Sequence, residues 1–122
     1  MLKNEKGFTL IEIIAVLVIL GILAAVAIPK YISMMDQSRI AAAQGAIAEV
    51  KSRASGYYAN QLLAQNTPSI ANVFTSLGAN PDLGIDFAVT AANPAASYIT
   101  ISVTSVKAVA VNVAGTWYMP TP

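Results

Sequence analysis

The sequence predicts an α+β protein: a long N-terminal α-helix whose hydrophobic half protrudes and whose second half packs on a small three- to four-stranded antiparallel β-sheet. Three observations carry this expectation. An apolar run fills residues 8–28, with a single charge at Glu12. A stripe at helical spacing follows, from Ile40 to Tyr57. Stretches of alternating apolar and polar residues then occupy the C-terminal third.

The apolar run comes first. From Phe8 to Ile28 it counts 21 residues, roughly 31 Å as a helix at about 1.5 Å per residue, enough to cross a bilayer core. After Glu12, sixteen consecutive residues, Ile13 to Ile28, are apolar or glycine. A secretory signal peptide shares the basic start, and Ala25-Val26-Ala27 imitates its cleavage site. Its apolar core, however, spans only about 7–15 residues. The run therefore predicts a transmembrane helix. Lys3 and Lys6, against Glu5, put the N-terminus in the cytoplasm and the residues after 30 beyond the membrane. A carboxylate in hydrocarbon costs about 2.5–3.5 kcal/mol at mid-span and less near an end. Glu12 thus wants a partner: interfacial water, Lys6 or a neighbouring helix.

Pro29 cannot donate a helical hydrogen bond, yet helical periodicity resumes beyond it. The expectation is one helix from about Thr9 to about Ala64, with a kink or loosened stretch between Gly21 and Pro29. The alternative is a second helix that starts at Pro29. Ile40, Ala43, Ile47, Val50, Ala54 and Tyr57 recur at steps of three and four, the stripe of a core-facing helix. Glu49 and Arg53 form a favourable i,i+4 pair. Tyr57-Tyr58 and Leu62-Leu63 are expected to pack near the helix end. Thr67 as cap and Pro68 at the first position suit a short helix through Val73 and Phe74, stopped by Gly78. Ile85, Phe87 and Val89 open the strands, and Asn93-Pro94 interrupts them. Ile99, Ile101 and Val103 form the next run and Val109, Val111 and Val113 the one after. Gly115 breaks the last, leaving Thr116 to Met119 as a final short strand. The helix stripe covers one face of the sheet.

Composition narrows the function. Charged residues make up 11% of the chain, hydrophobic ones 56%, and mean hydropathy is +0.61. A soluble domain carries about 25% charged residues, and a disordered chain would be less hydrophobic still. Seven Lys+Arg against six Asp+Glu leave a net charge of +1, so no basic surface for specific nucleic-acid binding is expected. The absence of Cys excludes disulfides and thiolate metal sites. The absence of His removes the usual general base, so the serines have nothing to activate them. Asp82 and Asp86, four apart in a Gly/Pro loop, are only weak candidates for a metal, with no further acid downstream. A solvated turn is the better account of them. No cofactor, no metal and no enzymatic activity are expected. The nine aromatic residues are best explained by packing.

Residues 1–31 carry a further signature: the charged leader MLKNEK, Gly7, Phe8, Glu12, an unbroken span and then Pro29. The stretch KGFTLIEIIAVLVILGILAAVAIPKY resembles the N-terminus of type IV prepilins and of the pseudopilins of secretion systems. The resemblance implies the type IV pilin fold. It implies that a prepilin peptidase cuts between Gly7 and Phe8 and methylates the new Phe8 amine. Glu12 would be the assembly residue, pairing with the Phe8 amine of a neighbouring subunit. The helix would loosen near Pro29 as subunits assemble.

The domains expected are then a leader at 1–7, a transmembrane and filament-core helix at 8–29, and an outer domain at 30–122. Within the outer domain the helix half occupies about 30–64, a loop about 65–84 and the sheet about 85–119. The partners implied are further copies in a helical filament, the peptidase/methylase, the membrane before assembly, and an inner-membrane platform driven by cytoplasmic ATPases. The precursor would be a single-pass inner-membrane protein, the product an extracellular pilus or a periplasmic pseudopilus. The leading expectation is the major subunit of a pilus-like filament. A piston pseudopilin of type II secretion is the alternative, favoured slightly by the absence of Cys and opposed by the lack of an acidic calcium loop. A minor pilin for adhesion or DNA uptake is the third reading.

Overall fold

The computed structural model describes residues 7–121. The expected leader therefore lies outside the described residues except for Gly7, as does Lys6, one of the partners considered for Glu12. The chain divides into two compact units, Met1–Asp36 and Gln37–Pro122. The architecture is α+β, with element order α1 (Leu10–Leu63), α2 (Ile70–Leu77), β1 (Phe87–Ala95), β2 (Tyr98–Val106) and β3 (Val109–Tyr118).

Helix α1 runs 54 residues and carries Pro29 inside it. The alternative of a separate helix beginning at Pro29 is thereby set aside. In the first unit the helix buries nothing: every residue from Gly7 to Asp36 is exposed. In the second unit Ala43, Ala46, Ile47, Val50 and Ala54 are buried. The stripe is shorter than its periodicity suggested. Ile40 stays 43% exposed, and Leu62 and Leu63, expected to pack near the helix end, are exposed as well. Helix α1 closes with Gln65 in the left-handed region (φ 57°). There the Asn66 N–H donates to the Gln61 carbonyl at 3.1 Å and the Gln65 N–H to that of Leu62 at 3.1 Å, the Schellman arrangement that satisfies the last carbonyls.

Helix α2 is capped by Ser69, not by the Thr67 that the sequence suggested. The Ser69 hydroxyl accepts from the Asn72 N–H at 3.2 Å. Its own N–H donates to Gln61 Oε1 at 3.2 Å, which ties the start of α2 to the last turn of α1. Ser69 is extended (φ −133°), as an N-cap residue must be, so the helix begins at Ile70, two residues beyond Pro68. Ile70, Val73 and Leu77 form the buried face. Gly78, at φ 81°, ends the helix where a side chain would be strained.

The sheet has order β1-β2-β3, antiparallel throughout. Ile99, Ile101 and Val103 of the central strand are fully buried. With Val89, Ala91, Val106 and Trp117 they meet the α1 stripe and α2 to form one core. Three sequence expectations shift here. Ile85 is fully exposed and precedes β1. Asn93-Pro94 does not end β1; it produces a register irregularity between Ala92 and Ala95, tolerated because β1 is an edge strand, where a missing N–H breaks no ladder. Gly115 does not end β3, so Thr116 to Tyr118 continue it instead of adding a fourth strand. A Cβ built on Gly115 would sit 2.5 Å from Ile47 Cγ2 and 3.2 Å from Lys51 Cε. Glycine is required by the close approach of α1.

The β2–β3 turn is strained. Lys107 and Ala108 both have positive φ, 50° and 61°, the two-residue hairpin geometry that favours Asn-Gly. A left-handed residue other than glycine or Asn costs roughly 1 kcal/mol or more. The double substitution Lys107→Asn with Ala108→Gly is expected to raise stability by about 1–2 kcal/mol. Thermal unfolding of both proteins checks this, and an unchanged midpoint would contradict it.

At the end of α1 a polar and aromatic clasp holds the C-terminal strand. The Trp117 indole N–H donates to Ser55 Oγ at 2.9 Å. The Tyr58 ring meets Trp117 edge-on at 6.3 Å between centroids. The Tyr58 hydroxyl donates to the Pro120 carbonyl at 3.0 Å. The expectation that Tyr57-Tyr58 packs near the helix end is met, since both side chains lie against the core.

Candidate functional site

The residues singled out by the sequence cluster at the start of α1. Gly7, Phe8 and Thr9 precede the helix and Glu12 lies in its first turn. Phe8 is 85% exposed. A Cβ added at Gly7 would meet nothing within 4 Å, so local packing places no demand for glycine there.

Glu12 has a partner that the sequence reading missed. Thr9 N–H donates to Glu12 Oε2 at 3.1 Å, and Glu12 N–H donates to Thr9 Oγ1 at 3.3 Å. This reciprocal pair is a capping box, in which two otherwise orphaned helix N–H groups are satisfied by side chains. Its signal was legible: a Thr-x-x-Glu spacing immediately before an apolar run. The carboxylate also sits at the positive end of the helix dipole. One oxygen of Glu12 is engaged at Thr9, and the side chain remains exposed. Beyond it Ile13, Val16 and Leu17 continue the apolar surface, exposed in turn. Helix α1 is long and apolar enough to cross a membrane, and its most apolar window is wholly unburied.

The other candidates are built differently. Asp82 Oδ1 accepts from the Gly84 N–H at 2.9 Å, a local turn bond, and the Asp82 carbonyl accepts from Arg53 at 2.9 Å. Arg53 also pairs with Glu49 at 3.0 Å, as its i,i+4 spacing predicted. Asp86 uses its carbonyl to accept the Lys107 N–H at 2.7 Å. Arg53 therefore pins the loop before β1 to α1. Among the described residues no three acidic side chains converge on a point that could hold an ion. Gly21 lies within α1, and a Cβ there would meet nothing within 4 Å.

An exposed apolar helix of membrane-spanning length, opened by a Thr/Glu capping box and continued into a small α+β domain, fits a membrane-anchored precursor. Comparison with known proteins agrees. Residues 2–28 match the prokaryotic N-terminal methylation motif. The type IV narrow pilus major component of Thermus thermophilus is 39% identical over 81 residues, 66% of this chain and 64% of that protein. The type II secretion system core protein G of Pseudomonas aeruginosa is 51% identical over 45 residues, 37% of this chain and 32% of that one. A type IV major pilin of Neisseria gonorrhoeae is 39% identical over 66 residues, 53% and 31% of the two chains. The chain thus spans less than two thirds of the length of these relatives. No solved structure matches. These likenesses support the type IV prepilin and pseudopilin family, and the fold is consistent with the type IV pilin fold.

Proposed function

We propose that this chain is the major structural subunit of a bacterial type IV pilus-like filament. A peptidase cleaves it between Gly7 and Phe8 and methylates the Phe8 amine. The subunit waits in the inner membrane with its N-terminus in the cytoplasm, its domain boundaries those expected from the sequence. It is then extracted by an ATPase-driven platform into a filament whose core is made of bundled α1 segments. The observation that carries this reading is the surface from Phe8 to Met35, largely apolar, uncharged but for Glu12 and Lys30, and exposed throughout. Such a surface must be covered by lipid or by other copies, and at about 25 cal/mol per Å² its burial drives association. In the bundle Glu12 pairs with a neighbour's Phe8 amine, a low-dielectric contact that selects register more than it adds stability. The freedom of space around Gly7 supports a requirement set by the peptidase, since the fold makes none. Sheared filaments should yield a main component that begins at Phe8 and carries one methyl group. N-terminal sequencing with intact mass checks this, and residues 1–7 retained in assembled material would refute it.

A second reading has its own observation. The 51% identity to a type II secretion core protein supports a pseudopilin working as a short periplasmic piston. Deletion separates the two: loss of surface filaments favours the pilus, loss of exoprotein secretion the piston.

A further inference from the structure

Two features at opposite edges of the sheet are left unused by the fold. The first is the loop that leads into β1. Ile85 is fully exposed there, on a backbone that is fastened on both sides. Asp82 Oδ1 accepts from the Gly84 N–H at 2.9 Å, and Arg53 donates to the Asp82 carbonyl at 2.9 Å. The Lys107 N–H donates to the Asp86 carbonyl at 2.7 Å. Ile85 is thus an apolar side chain held out to solvent on a pinned support. Beside it, the exposed Asp86 carboxylate has no hydrogen-bond or ion-pair partner among the described residues.

The second feature is a groove between α1 and β3, lined among others by Ile47, Ala48, Lys51, Val113, Ala114 and Gly115. It holds about 250 Å³. A cavity of about 150 Å³ already admits benzene, so the four-carbon side chain of an isoleucine fits. Lys51 is half-buried, and its ammonium has no partner among the described residues. The strand order β1-β2-β3 makes β1 and β3 the two edges. An apolar knob beside an unpaired anion therefore lies at one edge, and an apolar groove beside an unpaired cation at the other.

We propose that Ile85 of one copy seats in the α1–β3 groove of the next, where its Asp86 carboxylate pairs with Lys51. This rests on the filament reading above. Copies in a filament repeat one contact along an open helix, and such a contact joins two different patches head to tail. Patches at opposite edges of the sheet meet that need, and here apolar shape and charge match in the same pair. A second groove, lined by Ala42, Gly45, Ala46, Glu49, Leu83 and Phe87, is a poorer host. Its one charge is an anion, Glu49, already paired with Arg53 at 3.0 Å, and it would repel Asp86.

The test treats filaments with a carbodiimide, which joins a carboxylate and an amine already in contact as an amide, with loss of water. A ladder of covalent dimers and larger multimers is expected on a denaturing gel, with mapped peptides that join Asp86 to Lys51. Lys51→Arg keeps the cation but has no amine to acylate, so it should assemble normally and lose that link. Lys51→Glu and Asp86→Lys should each lower filament yield several-fold by setting like charges together. Combined, they should restore the yield to within about twofold of the unaltered chain. Ile85→Ser should lower it about tenfold, with unchanged Trp117 fluorescence to show the outer domain intact. Filaments that lack the Asp86–Lys51 link overturn the proposal and leave the filament reading standing. So does a double variant that assembles no better than its single parents. A processed chain that forms no filament refutes the filament reading, and this contact falls with it.

Discussion

Replacing Glu12 with Ala should leave processed, Phe8-starting protein in the membrane and abolish filaments. The physical ground is the amine created by cleavage. In the core of the proposed bundle it has one carboxylate within the same apolar segment to meet, because Glu12 is the only acid between Phe8 and Pro29. Removing one partner of a buried ion pair costs about 3–5 kcal/mol, or roughly 10²- to 4 × 10³-fold in each association step. Glu12 also closes the capping box with Thr9 at 3.1 Å, and loss of a cap costs only about 1 kcal/mol. Two further variants separate these roles. Glu12→Gln keeps a side chain able to complete the box but loses the charge, so it should fail to assemble as Glu12→Ala does. Thr9→Val breaks the box and keeps the charge, so it should assemble. Filament yield by shearing, set against membrane-retained protein, reads all three. Wild-type yield from Glu12→Gln would assign Glu12 to capping alone and remove the ion pair from the mechanism.

The largest expected effect on stability comes from Gly115. An added Cβ would lie 2.5 Å from Ile47 Cγ2, and Ile47 cannot easily move aside: it is β-branched, stiff about χ1 and 5% exposed. Gly115→Ala should destabilise the outer domain by about 1–3 kcal/mol, a fall in Tm of roughly 4 °C or more per kcal/mol for a domain of this size. Gly115→Val, which adds two further methyl groups at the same seam, should cost more. Ile47→Ala alone should cost about 2–5 kcal/mol by leaving a cavity. The double variant Ile47→Ala with Gly115→Ala should be less destabilised than the two changes added together, by about 0.5–3 kcal/mol, because the new methyl enters the space that Ile47 vacates. Trp117, the one tryptophan, reports the transition from the same strand. Strict additivity would show that α1 and β3 do not meet at Gly115 as described.

Most elements were legible because their signals are local. The span from Phe8 to Ile28 needed only length and polarity. The central strand needed only the alternation of Ile99, Ile101 and Val103. The α1 stripe needed only steps of three and four. The Thr9-x-x-Glu12 box is equally local, its signal lying in the spacing of the acid and not in its charge. Where the reading failed, the missing information was the identity of a neighbour. The stripe runs on through Ile40, which stays exposed, since periodicity marks a helix face without saying how far the sheet extends along it. Asn93-Pro94 looked like a strand end, and the structure keeps the strand because no further strand pairs beyond β1 to need the proline's missing N–H.

The sequence by itself determined the long apolar helix, its Thr/Glu start, the α+β class and the likeness to type IV prepilins, because each rests on residues close together in the chain. Tertiary structure alone decided that β1 and β3 are edges and that Gly115 admits the helix. Those facts depend on which strand lies beside which, and that is fixed by contacts between residues far apart in sequence.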